Sequence, residues 1–159
     1  MFKKMFSPKG LVIAAAVGAI YAVLTYALAP ISYGPVQFRV AEALTLLPVL
    51  LPESIPGLFV GCLLANLLGG YGPLDVIFGS LTTLAAAYFT WRWRHNRYLA
   101  ALPPVIFNGV IIGIILYVQI NAPLLPTMGY IALGQAGACY VLGLPLMKAL
   151  DKIDLGKLR

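Results

Sequence analysis

Long uncharged apolar runs constrain this chain more than any other feature. Residues 11–29 and 98–120 contain no charged side chain, and each run is long enough to cross the hydrocarbon core of a bilayer as a helix. Only 10% of the 159 residues are charged and 61% are hydrophobic, whereas about 25% of the residues in a soluble domain are charged. The sequence therefore predicts an all-α integral membrane protein, with one transmembrane domain over residues 1–159 and the lipid bilayer as its solvent.

Six transmembrane helices account for the apolar runs and for the proline- and glycine-rich breaks between them. The predicted helices span residues 11–29, 36–51, 55–68, 74–91, 98–120 and 128–150. The second and third are short for a bilayer that needs about 20 residues. We therefore expect these two helices to tilt or to lie partly behind the others.

The basic residues predict which ends of the helices face the cytoplasm. With the N-terminus inside, ten of the eleven Lys and Arg residues fall on inner segments, and only Arg39 falls on the outer side. Both termini are therefore predicted to be cytoplasmic, in a multi-pass protein of the plasma membrane. The net charge of +6 is interpreted as this orientation signal and not as a nucleic-acid surface, because the chain has little polar surface to present.

The segment 36–47, VQFRVAEALTLL, places Arg39 and Glu42 inside an apolar run. On a helix, a spacing of three residues puts both side chains on one face. A charge at the bilayer centre costs ~2.5–3.5 kcal/mol on insertion scales, so charges kept there usually face a cavity, a partner or a ligand. Two interpretations stay open: an internal salt bridge, which rarely stabilises on net when buried, or a ligand site.

Further polar residues collect mostly in the same outer half of the predicted bundle. The formal charges of Arg39, Glu42 and Asp75 sum to −1, so that if Arg39 pairs with one carboxylate, the other is left for a cation or for paired N–H donors. Within the membrane, Asn108 and Gln135 suit either an interhelical hydrogen bond or a ligand contact. The candidate ligand-binding residues are Tyr33, Gln37, Arg39, Glu42, Asn66, Tyr71, Asp75, Asn108 and Gln135.

The sequence contains no motif for catalysis or for ATP binding. It lacks the GxxxxGK[ST] loop, a His/Cys/carboxylate cluster typical of a metal site and a serine nucleophile elbow. We therefore expect no enzymatic activity, no cofactor and no metal, and an ATP-driven function would need partner subunits. A stand-alone secondary transporter or channel stays open as an alternative, although no chain of ionisable residues links the outer carboxylates to the inside.

Three segments resemble the QueT family: residues 33–44 (YGPVQFRVAEAL), 65–75 (ANLLGGYGPLD) and 79–84 (GSLTTL). QueT proteins are substrate-binding S components of energy-coupling-factor (ECF) transporters. The resemblance is specific across the second to fourth predicted helices and generic in the last two. It implies an S-component-like bundle that captures a queuosine precursor from outside the cell, namely a 7-deazaguanine such as queuine or its cyano or aminomethyl precursors. An S component for another vitamin-like molecule is the alternative within this class.

The same resemblance implies partner proteins. S components dock on a transmembrane T subunit that is carried by two ATP-binding subunits, and they do so through small residues at a spacing of four on the first helix. Ala15 and Ala19 match that spacing and are the predicted docking residues, while Ala14 and Gly18 repeat it one position earlier. Such spacing lets two helices approach closely.

The chemistry of a 7-deazaguanine fits the candidate residues. Its guanine-like edge presents adjacent N–H donors that a carboxylate, Glu42 or Asp75, can accept as a fork. Its carbonyl needs a donor such as Arg39, and its flat face suits an aromatic ring such as Tyr33 or Tyr71. An aminomethyl derivative is cationic and suits the remaining carboxylate.

Overall fold

The structure, a computed structural model, describes residues 5–34, 36–70 and 72–153. Every regular element in these ranges is helical. In chain order the elements are α1 (Pro8–Ala27), α2 (Ala29–Ser32), a 3₁₀-helix (Val40–Val49), α3 (Ser54–Gly69), a first π-helical segment (Asp75–Gly79), α4 (Ser80–Arg92), α5 (Arg97–Ala100), α6 (Leu102–Ile120), α7 (Leu124–Ala136), a second π-helical segment (Gly137–Gly143) and α8 (Leu144–Leu150).

Within the described ranges, three helical stretches are long and apolar enough to cross a membrane: Pro8–Ala27, Arg97–Ile120 and Leu124–Leu150. The remaining apolar helices are shorter. Large apolar side chains cover the outside of the bundle, and Leu125 and Leu133, for example, are 79% and 68% exposed. Apolar surface on this scale marks contact with lipid or protein and not with water.

The second predicted helix, over residues 36–51, differs most from the structure. Its first four residues form a turn and an extended stretch, and the helix that follows is the ten-residue 3₁₀-helix Val40–Val49. Pro48 inside this helix cannot donate the backbone hydrogen bond that an α-helix needs there. The prediction that Arg39 and Glu42 share one face of an α-helix is therefore wrong, because Arg39 precedes the helix in an extended conformation.

The boundaries of the other predicted helices hold to within a few residues. The largest shift is in the sixth, which begins at Leu124 and not at residue 128. Pro126 lies in its first turn, where backbone N–H groups have no intrahelical partner in any case. The first helix begins at Pro8, because the Ser7 hydroxyl accepts a hydrogen bond of 3.1 Å from the Gly10 N–H and caps the helix.

Helices α1 and α3 pack against each other through glycines. A Cβ atom added to Gly61 would lie 2.6 Å from the Gly18 carbonyl oxygen, and one added to Gly57 would overlap the Ala14 backbone. Such backbone-to-backbone approach is typical of helix pairs in membranes. Elsewhere α6 packs on α7, and the 3₁₀-helix lies against the second π-helical segment.

The basic segments lie together at one end of the bundle. Met5 and Phe6 line one pocket with Tyr88 and Phe89, so the segment before α1 lies beside the last turns of α4. At the same end, Arg97 forms an ion pair with Asp151. Of the basic residues predicted for the inner face, those that the structure describes lie towards this end, while Lys3, Lys4, Lys157 and Arg159 lie outside the described residues.

Candidate ligand-binding site

Arg39 is buried in the extended segment that precedes the 3₁₀-helix, with 4% of its surface exposed. Its Nη2 atom lies 4.0 Å from Oδ2 of Asp75, and its Nε donates to the Ser32 carbonyl oxygen at 3.4 Å. Its guanidinium carbon lies 5.2 Å from the centroid of the Tyr33 ring, within range of a cation–π contact. The ion-pair partner of Arg39 is therefore Asp75, and the salt bridge with Glu42 that the sequence left open as one interpretation is not formed.

Glu42 lies in the first turn of the 3₁₀-helix and is 1% exposed. Its Oε1 atom accepts a hydrogen bond of 2.5 Å from the hydroxyl of Tyr21 on α1. Its Oε2 atom is buried and has no hydrogen-bond partner among the described residues. No Lys, Arg or His nitrogen of the described chain forms an ion pair with it. The sequence did not indicate Tyr21, since a single tyrosine in an apolar run carries no local signal.

Asn66, fully buried near the end of α3, has its amide group oriented by the protein. Its Nδ2 donates to the backbone carbonyl of Asp75 at 3.0 Å and to Sγ of Cys62 at 3.5 Å. Cys62 also accepts from the Thr83 hydroxyl at 3.2 Å. The amide donor is thereby used within the protein, while the Oδ1 acceptor has no partner among the described residues.

We use the name polar centre for Arg39, Glu42, Asn66 and Asp75. Glu42, Asn66 and Asp75 each keep one buried oxygen that accepts no hydrogen bond from the described protein. An unsatisfied buried polar atom costs about 1–3 kcal/mol, and more when it is charged. The hydroxyl oxygen of Ser32 is also buried and has no hydrogen-bond partner among the described residues. The carbonyl of the same residue accepts from Arg39. Several unpaired acceptors in one place leave this cluster open to hydrogen-bond donors from outside the described residues.

Tyr33 and Gln37 lie on the segment that leads into Arg39. The Tyr33 hydroxyl donates to the Ala65 carbonyl at 2.5 Å. Gln37 is buried and has a backbone φ of +47°, a left-handed conformation that non-glycine residues rarely adopt. Such backbone strain is frequently held at functional sites. The remaining predicted tyrosine, Tyr71, lies outside the described residues.

Asn108 on α6 and Gln135 on α7 are brought together as a pair. The Asn108 Nδ2 donates to Oε1 of Gln135 at 3.2 Å, and both side chains are buried. Within the described chain neither side chain is hydrogen-bonded to the polar centre. The structure thus contains the interhelical hydrogen bond that was one of the two interpretations of these amides.

A pocket of about 410 Å³ borders the polar centre at Asn66. It lies between the end of α3 and the first π-helical segment, and Gly70, Gly72 and Val76 contribute to its wall. Pockets for small molecules typically measure about 300–1,000 Å³. Of the polar centre only Asn66 lines this pocket, and the exposed Leu67 and Ile77 form part of its wall, so it is an open pocket beside the polar centre with the volume of a nucleobase-sized ligand.

Comparison with known proteins decides the family. The family model described as QueT transporter matches residues 11–152. The chain belongs to the QueT transporter family. It is 30% identical over 160 residues to the queuosine precursor transporter QueT of Lactococcus lactis subsp. cremoris (strain MG1363), and the alignment covers 90% of this chain and 93% of the relative. No solved structure matches the chain significantly.

Membership of this transporter family, together with the exposed apolar helices, confirms the predicted multi-pass membrane protein. It also confirms the resemblance that residues 33–84 carried and extends it to helices α6 and α7, whose sequence was generic. Among the described residues, no group of three His, Cys, Asp or Glu side chains is placed to hold a metal ion. The site is therefore described by its hydrogen-bonding groups and its charges.

The two small-residue pairs of α1 lie on different faces of the helix, one buried and one exposed. Ala14 and Gly18 are buried against α3 and serve the internal packing described above. Ala15 and Ala19 are exposed on the outer face of the helix. The residues predicted for docking are therefore accessible to another protein in the membrane.

Proposed function

We propose that this chain is the substrate-binding S component of an ECF-type, ATP-driven importer, and that it captures a queuosine precursor from outside the cell. The substrate class comes from the relative in Lactococcus lactis, which is named a queuosine precursor transporter. In this role the chain performs no chemistry on its substrate and is not an enzyme. ATP hydrolysis is supplied by two partner subunits, because the sequence has no ATP-binding loop of its own.

The order of hydrogen-bonding groups in the polar centre is the observation that carries this proposal. Asp75 is the middle member: Arg39 lies 4.0 Å from its carboxylate, and Asn66 donates to its backbone carbonyl. Arg39 offers a donor, and the Asp75 carboxylate and the Asn66 amide oxygen each offer an acceptor. Oδ2 of Asp75 and Oδ1 of Asn66 accept no hydrogen bond from the described residues. A guanine-like edge presents the complementary series of a carbonyl, a ring N–H and an amino group.

Residues around the polar centre complete the proposed ligand site. The Tyr33 ring, already in contact with the Arg39 guanidinium, supplies an aromatic face for the flat heterocycle. Gln37, Tyr71, Asn108 and Gln135 remain proposed contacts from the sequence. The ligand would enter from the end of the bundle opposite the basic segments, where the pocket beside Asn66 lies.

The proposed topology has six transmembrane crossings with both termini in the cytoplasm. It is supported by the described basic segments, which lie near one another at one end as the positive-inside rule predicts. The proposed T subunit would contact the outer face of α1, where Ala15 and Ala19 are exposed. Small residues at this spacing let a partner helix approach closely.

Calorimetric titration of the purified protein in detergent tests the substrate. The ligands are queuine, the cyano and aminomethyl 7-deazaguanines, guanine, and riboflavin and thiamine as unrelated vitamins. We expect a 7-deazaguanine to bind and the two vitamins not to bind. Asp75→Asn should weaken binding by about tenfold or more, since it removes a charged acceptor, whereas the same change at the exposed Asp151 should have no effect. A folded protein that binds no 7-deazaguanine would refute the substrate assignment.

Co-purification tests the coupling to ATP. An affinity-tagged chain expressed in its own cells should bring down a transmembrane T subunit and two ATPases. Proteoliposomes with all four proteins should accumulate the ligand only with ATP inside. Uptake by the chain alone, driven by an ion gradient, would instead establish the stand-alone secondary transporter.

A further inference from the structure

The three charges of the polar centre are not distributed evenly. Arg39 lies against Asp75, at 4.0 Å, so these two charges compensate each other. Glu42 is the remaining carboxylate, and no basic side chain of the described chain forms an ion pair with it. Burying a charge is costly unless it is paired. Of the two carboxylates, Glu42 is therefore the one without an ion-pair partner among the described residues.

We infer that Glu42 binds a positively charged side arm of the ligand, so that the site selects 7-deazaguanines that carry an amine over neutral ones, an inference that rests on the proposed function. The amine supplies the missing positive charge. It also supplies N–H donors for Oε2 of Glu42, which has no partner in the described protein. A hydrogen bond between an ammonium group and a carboxylate is roughly twice as strong as a neutral one.

The groups that hydrogen-bond to Glu42 are polar but neutral. Tyr21 donates to its Oε1 at 2.5 Å, which fixes the carboxylate without adding charge. Thr45 donates to its backbone carbonyl at 2.6 Å, and Cys139 approaches the same oxygen at 3.7 Å. A carboxylate that is held in place by a neutral donor, and has one oxygen left over, is preorganised for a cation.

Glu42 and Asp75 lie on different elements, the 3₁₀-helix and the first π-helical segment. The two carboxylates are therefore suited to separate parts of one ligand. Asp75 and the adjacent Asn66 accept from the guanine-like edge, and Glu42 accepts from the arm. A nitrile arm has neither a positive charge nor an N–H group, so the cyano precursor cannot use Glu42. Primary and secondary amines both can, since they are protonated at neutral pH as lysine is.

A matched pair of ligands tests this inference: 7-aminomethyl-7-deazaguanine and its neutral, nearly isosteric 7-hydroxymethyl analogue. Both are titrated calorimetrically into the parent protein, Glu42→Gln and Asp75→Asn, at one fixed ionic strength. On the parent we expect the amine to bind about tenfold tighter or more, as a charged hydrogen bond gives. Glu42→Gln should reduce that preference to about threefold or less, because it removes the negative charge that distinguishes the amine from the alcohol. Asp75→Asn should weaken both ligands by similar factors and keep the preference.

Titration of the parent protein alone already shows whether the site prefers the amine to the alcohol, so the test does not depend on the variants folding. Equal affinity of the parent for the amine and the alcohol would overturn the inference and leave the proposed function standing. A full amine preference retained in folded Glu42→Gln would overturn the role of Glu42. If the folded parent binds neither ligand nor any other 7-deazaguanine, the proposed function fails and this inference fails with it.

Discussion

The hydroxyl of Tyr21 donates a 2.5 Å hydrogen bond to Oε1 of Glu42, and both side chains are buried. This bond joins α1 to the polar centre. The same helix presents Ala15 and Ala19 on its outer face. If a T subunit docks on that face as we propose, one helix contacts the ligand-binding carboxylate on one side and the partner on the other. A shift of α1 on docking would then change the geometry of Glu42 directly.

Tyr21→Phe removes the hydroxyl and leaves the buried Oε1 of Glu42 without its donor. We expect the free energy of unfolding to fall by about 1–3 kcal/mol, the cost of an unsatisfied buried group. We also expect weaker binding of an amine-bearing 7-deazaguanine, since Glu42 is no longer held in position. Tyr26→Phe is the matched control, because Tyr26 lies on the same helix and is exposed. Equal behaviour of the two variants in unfolding and calorimetry would contradict a positioning role for Tyr21.

Gly61→Ala should destabilise the packing of α1 on α3. Its new Cβ atom would lie 2.6 Å from the Gly18 carbonyl oxygen, and backbone atoms cannot move aside as a flexible side chain can. We expect a loss of at least about 1–3 kcal/mol, the usual cost of overpacking. Gly129→Ala is the control, because nothing lies within 4 Å of its added Cβ on α7. There the gain in helix propensity should leave stability unchanged or slightly raised. Thermal unfolding followed by size-exclusion chromatography measures both.

The helical framework and the polar centre were largely predictable from the sequence. Apolar runs near membrane length predict helices, because every peptide group in the hydrocarbon core must be hydrogen-bonded within the protein and a helix satisfies them all within one segment. A charge in such a run is costly enough to mark a site. Arg39 and Glu42 were identified on this basis, and Asn66 and Asp75 as polar residues of the same outer half; all four are buried.

The pairing within the site was not predictable. The sequence left open whether Arg39 pairs with Glu42 or another carboxylate, and the structure pairs it with Asp75, which is 36 positions along the chain. The extended backbone before the 3₁₀-helix turns Arg39 away from the helical register, and tertiary packing then selects its partner. Tyr21 was missed for the same reason, because its role depends on the approach of α1 to another element and not on its neighbours in sequence.

The buried pair of Asn108 and Gln135 can be tested as a structural hydrogen bond. Asn108→Leu alone leaves the Gln135 amide unpaired and should cost about 0.6–1.7 kcal/mol, the range for interhelical bonds in membranes. The double variant with Gln135→Leu should recover much of that loss, because replacing both partners removes the unsatisfied group. The unfolding free energies of the parent, the two single variants and the double variant give the coupling energy between Asn108 and Gln135. Loss of ligand binding in a stable double variant would show instead that the amides contact the ligand.

The ion pair of Arg97 and Asp151 predicts a small pH-dependent term in stability. Two hydrogen bonds from Arg97, of 2.5 and 2.8 Å, lower the pKa of Asp151 below its ordinary value. A lowered carboxylate pKa favours the ionised folded state, so the contribution is present above the unfolded pKa of about 3.9 and is lost as pH falls through the lower folded pKa. At low salt the parent should melt slightly above Asp151→Asn at pH 7. The gap should close below about pH 4, and a gap that widens with acid would be inconsistent with this pair.

Bulky substitutions at Ala15 and Ala19 should block assembly without affecting ligand capture. Both residues are exposed on α1, away from the face that packs on α3. A tryptophan there keeps the surface apolar, so insertion and folding should be preserved, but it prevents the close approach of a partner helix. We expect Ala15→Trp and Ala19→Trp to lose co-purification of the T subunit while calorimetry gives the parent's affinity for ligand. Val110→Trp, at an exposed apolar position on α6, controls for added bulk. Normal assembly of both alanine variants would move the docking surface away from this face of α1.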